Sequence, residues 1–263
     1  MTALAARARG LTARLDDATA PPADLLAVLG RWDEHDELRV ITLDEDRRAL
    51  RAIVRGLAAG IPAERRAVAA GRLRHAAGAP TLAELARRLG DHPLAPALAS
   101  AAEGPLDLLA IEAALARAYG ERVRPADPAA RAYARQLIDG QNAGAALALS
   151  ARGRALSPAR MFVPGGERLA EATFVEAARA PLDETRVRLA AAFAGTPLAA
   201  AVMSSEPAAV ERATRAWMRD TQRRHRRLAP HGLAPALYFA LRWSEHAEAW
   251  RREAAQRALG GAR

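Results

Sequence analysis

Apolar residues recur along this chain at three- and four-residue spacing, and that spacing predicts helix almost throughout. Leu25, Leu26 and Leu29 fit one helix face after the breaker Pro21-Pro22. Leu43, Leu50, Ile53, Val54 and Leu57 mark a second helix, which Gly60 and Pro62 end. Thr81 caps a short helix through Leu89, with Glu84 at the capping-box position, and Thr173 with Glu176 repeats that pattern. Leu106 to Tyr119 reads as an amphipathic helix closed by Gly120. Pro128 opens another that runs to about Gly153, and Pro207 starts a long one through about Leu228. Pro235 to Leu259 is the last, ended by Gly260-Gly261. No stretch has the alternation of a strand.

Composition strengthens the all-α expectation. Apolar residues make up 51% of the chain, yet aromatics supply only 4%, so the core must be built from small side chains on closely packed helices. Alanine and leucine, both strong helix formers, dominate, and β-branched residues are scarce. The absence of cysteine removes disulfides, cysteine metal sites and thiol catalysis. Lysine is absent too, so all 39 basic residues are arginine. A formal charge of +9 points to acidic partners, whether nucleic acid, anionic lipid or an acidic protein surface. Met1 to Leu15 carries arginines and no apolar signal core. The most apolar stretch, Leu189 to Met203, contains Pro197 and is too short to span a bilayer. These features predict a soluble or membrane-peripheral protein.

Laying the segments over one another reveals an internal repeat. Asp46-Arg-Arg-Ala-Leu50 through Gly60 matches Asp139-Gly-Gln-Asn-Ala143 through Gly153, and Gly71-Arg-Leu73 matches Gly166-Glu-Arg-Leu169. Thr81 to Ala86 then matches Thr173 to Ala178, and His92-Pro-Leu-Ala95 matches Thr196-Pro-Leu-Ala199. A third copy of the opening helix stands at Glu245 to Trp250. This order predicts a single helical domain, 1–263, of two and a half lobes in a pseudo-threefold ring or funnel. The lobes fall near 25–104, 105–206, and 207–263 together with 1–24.

The most specific stretch is Tyr133-Ala-Arg-Gln-Leu-Ile-Asp-Gly-Gln-Asn142, followed by Ala148 to Arg154 and then Met161-Phe-Val-Pro-Gly-Gly-Glu-Arg-Leu169. An Asp-x-x-Asn helix, a short turn and an apolar-Pro-Gly-Gly-x-x-Leu step resemble the family that unites the V-type ATPase d subunit with its A-type (V/A-type) ATPase counterpart, the C subunit. Gly232-Leu-Ala-Pro-Ala-Leu237 leading to Trp250 resembles that family's C-terminal helix. The resemblance covers roughly residues 40 to 260. It implies a non-catalytic central-stalk subunit with no cofactor, at the cytoplasmic face of the membrane. Its expected partners are rotor-ring proteolipid subunits and central-axle subunits, with ATP chemistry and ion translocation left to other chains. The first Asp-x-x-Asn pair reads Asp46 and Ala49 here, so that asparagine is missing. Fewer residues precede Asp46 than the family usually carries, which implies an abbreviated first lobe.

The candidate structural residues are therefore Asp46, Asp139, Asn142, Pro164, Gly165 and Gly166. Asp139 is expected to cap or pair at the start of a buried helix, and Asn142 to hydrogen-bond backbone across a lobe junction; solvated polar residues are the plainer reading of both. Gly165-Gly166 is expected to supply positive φ at a tight turn entered by Pro164; a phosphate cradle lacks its Gly-x-x-x-x-Gly-Lys-Ser/Thr signature. The six histidines form no His-Glu-x-x-His pair, and no Gly-x-Ser-x-Gly occurs. The acidic run Asp33 to Glu37 suits a solvated helix face or a hard-metal site. Arg212, Arg215, Arg219, Arg223, Arg224, Arg226 and Arg227 make an arginine-rich helix. That helix could complement its own dipole, meet an acidic protein or lipid, or neutralise phosphates as an α-helical nucleic-acid-binding or scaffold protein. No aromatics are interleaved in the run Arg219 to Arg227, and no nucleic acid is expected as partner.

Overall fold

The computed structural model describes residues 2–16, 38–104, 106–152, 157–204 and 206–260, the last of these from 250 onward as backbone. Leu25, Leu26, Leu29, the acidic run Asp33 to Glu37 and the side chain of Trp250 lie outside the described residues. Among the described residues the chain is all-α, with fourteen α-helices, one 3₁₀ turn and no strand. In order, α1 is Thr2–Asp16, α2 Arg39–Ala58, α3 Ala63–Ala69, α4 Arg74–Ala77, α5 Leu82–Leu89, α6 Ala95–Ala101 and α7 Leu108–Arg122. Then follow α8 Pro128–Arg152, α9 Pro158–Met161, α10 Glu171–Arg179, α11 Leu182–Ala192, α12 Pro197–Ser204, α13 Pro207–Leu228 and α14 Ala234–Gly260.

Local chemistry explains most boundaries. Asp107 accepts the N–H groups of Leu109 and Ala110, and Asp127 accepts those of Ala129 and Ala130, so α7 and α8 each begin on a carboxylate cap. Gly60 closes the end of α2 with φ +65°. Thr81 Oγ1 accepts the Glu84 N–H at 3.2 Å, as the sequence pattern predicts. Replacing Thr81 with Ala should cost about 1 kcal/mol, the usual worth of such a cap. An unchanged midpoint in urea unfolding would remove that assignment.

Two boundaries differ from the sequence expectation. Thr173 is not a cap, because α10 starts two residues earlier, at Glu171, and its cap position is Ala170. The preceding loop is already anchored at Leu169, which fixes where the chain turns into helix. Gly120 does not stop α7, which continues to Arg122. A Cβ at Gly120 would lie 3.3 Å from Ile138 Cδ1 and 3.7 Å from Pro164 O, so this glycine permits close approach to α8 and the turn beyond it.

Helices α8 and α13 pack on each other. Their contact is tight at Gly140, where a Cβ would come 2.9 Å from Thr214 Cβ and overlap its hydroxyl. The N-terminal half of α8, with Ala130, Tyr133 and Leu137, joins a core shared by α1, α2, α4–α7 and α14. Its C-terminal half, with Ala143, Ala146 and Leu149, joins a second core built with α10–α13. A small apolar cluster of Ala116, Ile138 and Val163 lies apart from both. At the chain ends, α1 packs along α14, and Arg9 Nη1 donates to Pro230 O at 2.6 Å.

Candidate functional site

Helix α8 turns Asp139 and Asn142 to the same side, one turn apart, toward the segment 162–169. Both side chains are fully buried. Asn142 holds Val163 from two directions: its Nδ2 donates to Val163 O at 2.8 Å, and its Oδ1 accepts the Val163 N–H at 2.9 Å. Asp139 is the anchor for the other end of the turn. Its carboxylate accepts the N–H groups of Glu167 at 2.8 Å, Arg168 at 3.0 Å and Leu169 at 3.2 Å. Burial raises the Asp139 carboxyl above its ordinary value, and the three N–H donors oppose that rise. Asp139 therefore caps no helix start of its own, since α8 begins at Pro128.

Pro164, Gly165 and Gly166 bridge these two clamps. Gly165 has φ +103°, a conformation costly for any residue with a Cβ. Gly166 has a different requirement. A Cβ there would overlap Asp139 Oδ1 and lie 3.0 Å from its Cγ. The N–H groups that could cradle a phosphate after this turn are already occupied by the Asp139 carboxylate, so the phosphate reading has no free donors at 167–169. Arg117 Nη2 on α7 also donates to Arg160 O and Phe162 O, fixing the near end of the loop.

The repeat-equivalent Asp46 on α2 is buried and likewise reaches forward to the next segment of its own repeat. There it meets a side chain instead of backbone: Arg72 Nε donates to Oδ1 at 2.6 Å, and Nη2 contacts Oδ2. His92 Nε2 lies 3.0 Å from the same Oδ2. His92 Nδ1 accepts the Leu94 N–H, which leaves Nε2 as the N–H that donates to Asp46. Burial pushes the Asp46 carboxyl up, but the hydrogen bonds from His92 and Arg72 and the Arg72 charge outweigh it and hold it below the usual range. Ala49, standing where the second repeat has Asn142, is buried and makes no clamp.

A further polar group was not singled out by the sequence patterns. Asp44 is buried beside Arg47, Arg48 and Tyr133. Arg47 donates to its Oδ1 at 2.8 Å, Arg48 Nη2 lies 3.1 Å from Oδ2, and Tyr133 OH donates to Oδ2 at 3.1 Å. Burial alone would raise the Asp44 carboxyl; the charges of Arg48 and Arg47 and the hydrogen bonds from Arg47 and Tyr133 hold it below its ordinary value. Burial, with Asp44 close by, pushes the Tyr119 and Tyr133 phenols well up. One turn further along α2, Arg51 bridges Glu112 of α7 and Glu211 of α13, at 3.1 and 2.8 Å. The available signal was the stripe Val40, Asp44, Arg47, Arg51 and Val54, a run of charges at helical spacing closed by valine at both ends.

The arginine-rich helix divides into two faces. Arg219 Nη1 pairs with Glu245 of α14 at 2.7 Å, Arg215 pairs with Glu248, and the Arg226 guanidinium stacks 4.0 Å from the Tyr238 ring centroid. These three hold α13 against α14. Arg212 pairs with Glu206 at 3.4 Å on the surface, and Arg224 donates to Thr221 Oγ1. Arg223 and Arg227 are exposed and carry no ion pair among the described residues.

No group of three or more potential ligands is arranged for a metal ion among the described residues, and none of their helices is long and apolar enough to cross a membrane. What the described residues do display is an all-helical body in which Asp44, Asp46, Asp139 and Asn142 are directed at its own backbone and side chains. The family model for the ATP synthase (C/AC39) subunit matches residues 31–244, and the chain belongs to that family, of V/A-type ATP synthases. No curated protein matches the sequence.

Proposed function

We propose that this chain is a non-catalytic central-stalk subunit of a V/A-type rotary ATPase, lying at the cytoplasmic face of the membrane. In this reading it couples the central axle to the proteolipid rotor ring, while ATP chemistry and ion transport belong to other subunits. The observation that carries the reading is the family match over 31–244. The physical support is stiffness. A torque coupler must transmit load without local opening, and here the helix junctions are tied by buried charge-assisted bonds at Asp44, Asp46 and Asp139.

The lobes 25–104, 105–206 and 207–263 with 1–24 belong to the same proposal. Two aspartates at repeat-equivalent positions anchor repeat-equivalent segments, and α1 packs on α14, which supports the pairing of the two chain ends. A nucleic-acid role is disfavoured because Arg215, Arg219 and Arg226 are engaged inside the protein.

Affinity purification of the tagged chain, followed by mass spectrometry, should recover rotor-ring and axle subunits, and the isolated chain should not hydrolyse ATP. Recovery of nucleic acid, with no rotor or stalk subunit at any salt concentration, would overturn the coupling role.

A further inference from the structure

Three segments meet where α13 closes. Gln222 Nε2 donates to Ala129 O, which places the start of α8 beside the end of α13. Arg9 Nη1 reaches Pro230 O from α1, and a Cβ at Gly232 would lie 3.7 Å from Asp127 Oδ2. The exposed arginines Arg9, Arg131, Arg223, Arg224 and Arg227 are thereby gathered at one end of the molecule. Leu228 stands next to them with 83% of its surface in water, the most exposed large apolar residue described. Among the described residues, Asp127 caps the start of α8 and Asp220 lies 3.8 Å from Arg219.

We propose that this end of the molecule, with Arg223, Arg224 and Arg227 around Leu228, docks on an anionic phospholipid surface. Arginine forks match phosphate geometry and each gains from a negative surface potential. Leu228 separates a membrane from a nucleic acid as the occupant. A phosphate backbone offers no apolar medium, whereas the headgroup boundary accepts a leucine beneath a ring of cations. An exposed leucine with three exposed arginines in the last two turns of the helix is also out of place as a merely solvated helix end, where polar residues would serve. The inward face of the same helix shows the contrast, since there each arginine has a glutamate or an aromatic ring.

The test is co-sedimentation of the full chain with phosphatidylcholine vesicles, with and without phosphatidylglycerol. Binding should require the anionic lipid and weaken with salt. R223E/R224E/R227E should lower the partition coefficient on the order of a hundredfold, from about 1 kcal/mol per basic residue. A control with equal charge change at exposed positions elsewhere, R65E/R74E/R179E, should lose far less. Leu228→Ser leaves the charge unchanged and should still cost about tenfold, the worth of one buried leucine. Unchanged thermal melting identifies variants that remain folded. Absence of vesicle binding, or equal losses in the two triple variants, would overturn the proposal. So would a patch variant that binds vesicles normally and loses only an acidic protein partner. Vesicle binding is read on the isolated chain, so it stands or falls apart from capture of rotor and axle subunits.

Discussion

Gly166→Ala should lower stability by about 3 kcal/mol, although alanine is the smallest side chain that can be added. The new Cβ would overlap Asp139 Oδ1, so the carboxylate must swing away from the N–H groups of Glu167, Arg168 and Leu169. Hydrogen bonds to a charged acceptor contribute about 1.5–3 kcal/mol each, and buried donors left unpaired add a desolvation cost. For a chain of this size the loss corresponds to a fall of ~6–12 °C in melting temperature. Gly165→Ala should cost less, about 1–2 kcal/mol, since its penalty is backbone conformation at φ +103°. A double-mutant cycle distinguishes the two causes. In an Asp139→Ala background the overlap at Gly166 has no carboxylate to displace, so most of the cost of Gly166→Ala should disappear. Additive losses from Gly166→Ala and Asp139→Ala would show that the glycine acts through something other than the carboxylate.

This turn also shows where sequence reading succeeds and where it stops. Helical spacing, prolines and the Thr81 cap locate most elements, because these depend on residues close in the chain. The repeat pairs Asp46 with Asp139, and Gly71-Arg-Leu73 with Gly166-Glu-Arg-Leu169, yet it does not say that each aspartate reaches across to the other landmark. That link is tertiary and is visible only once α8 lies beside 162–169. Thr173 and Glu176 match a capping box in spacing, but the anchored loop decides the helix start. The arginine cluster is a linear feature of the sequence, whereas pairing depends on which side of α13 meets α14. Positions 215, 219 and 226 share that side, and 223, 224 and 227 do not. Asp44 stood inside a charged run that looks solvated, because no local pattern announces that α8 will bring Tyr133 over it.

Asp44→Ala should be the most damaging single change in the first core, at about 3–5 kcal/mol. The reason is the partner left behind more than the bond removed. Arg47 is almost wholly buried, and its ion pair at 2.8 Å is with Asp44. Removing the carboxylate strands a buried guanidinium, the situation in which breaking an internal pair is most costly. Arg48 retains Glu45 at 2.5 Å and suffers less. Asp46→Ala makes the natural comparison, because its main partner Arg72 is 40% exposed and can turn to water. It should cost roughly half as much. The pH dependence gives a second, independent reading. Asp44 is held below its ordinary value in the folded state, so the folded protein binds fewer protons there than the unfolded chain does. Its contribution is complete above the unfolded value of about 3.9 and is lost as pH falls through the lower folded value. The stability gap between the wild-type chain and Asp44→Ala, measured by urea unfolding, should therefore stay constant near neutrality and narrow in strong acid. A gap that widened as pH fell would mean that the carboxyl is protonated in the fold. The Arg47–Asp44–Arg48 group of α2 would then not hold the ionised acceptor to which Tyr133 of α8 donates.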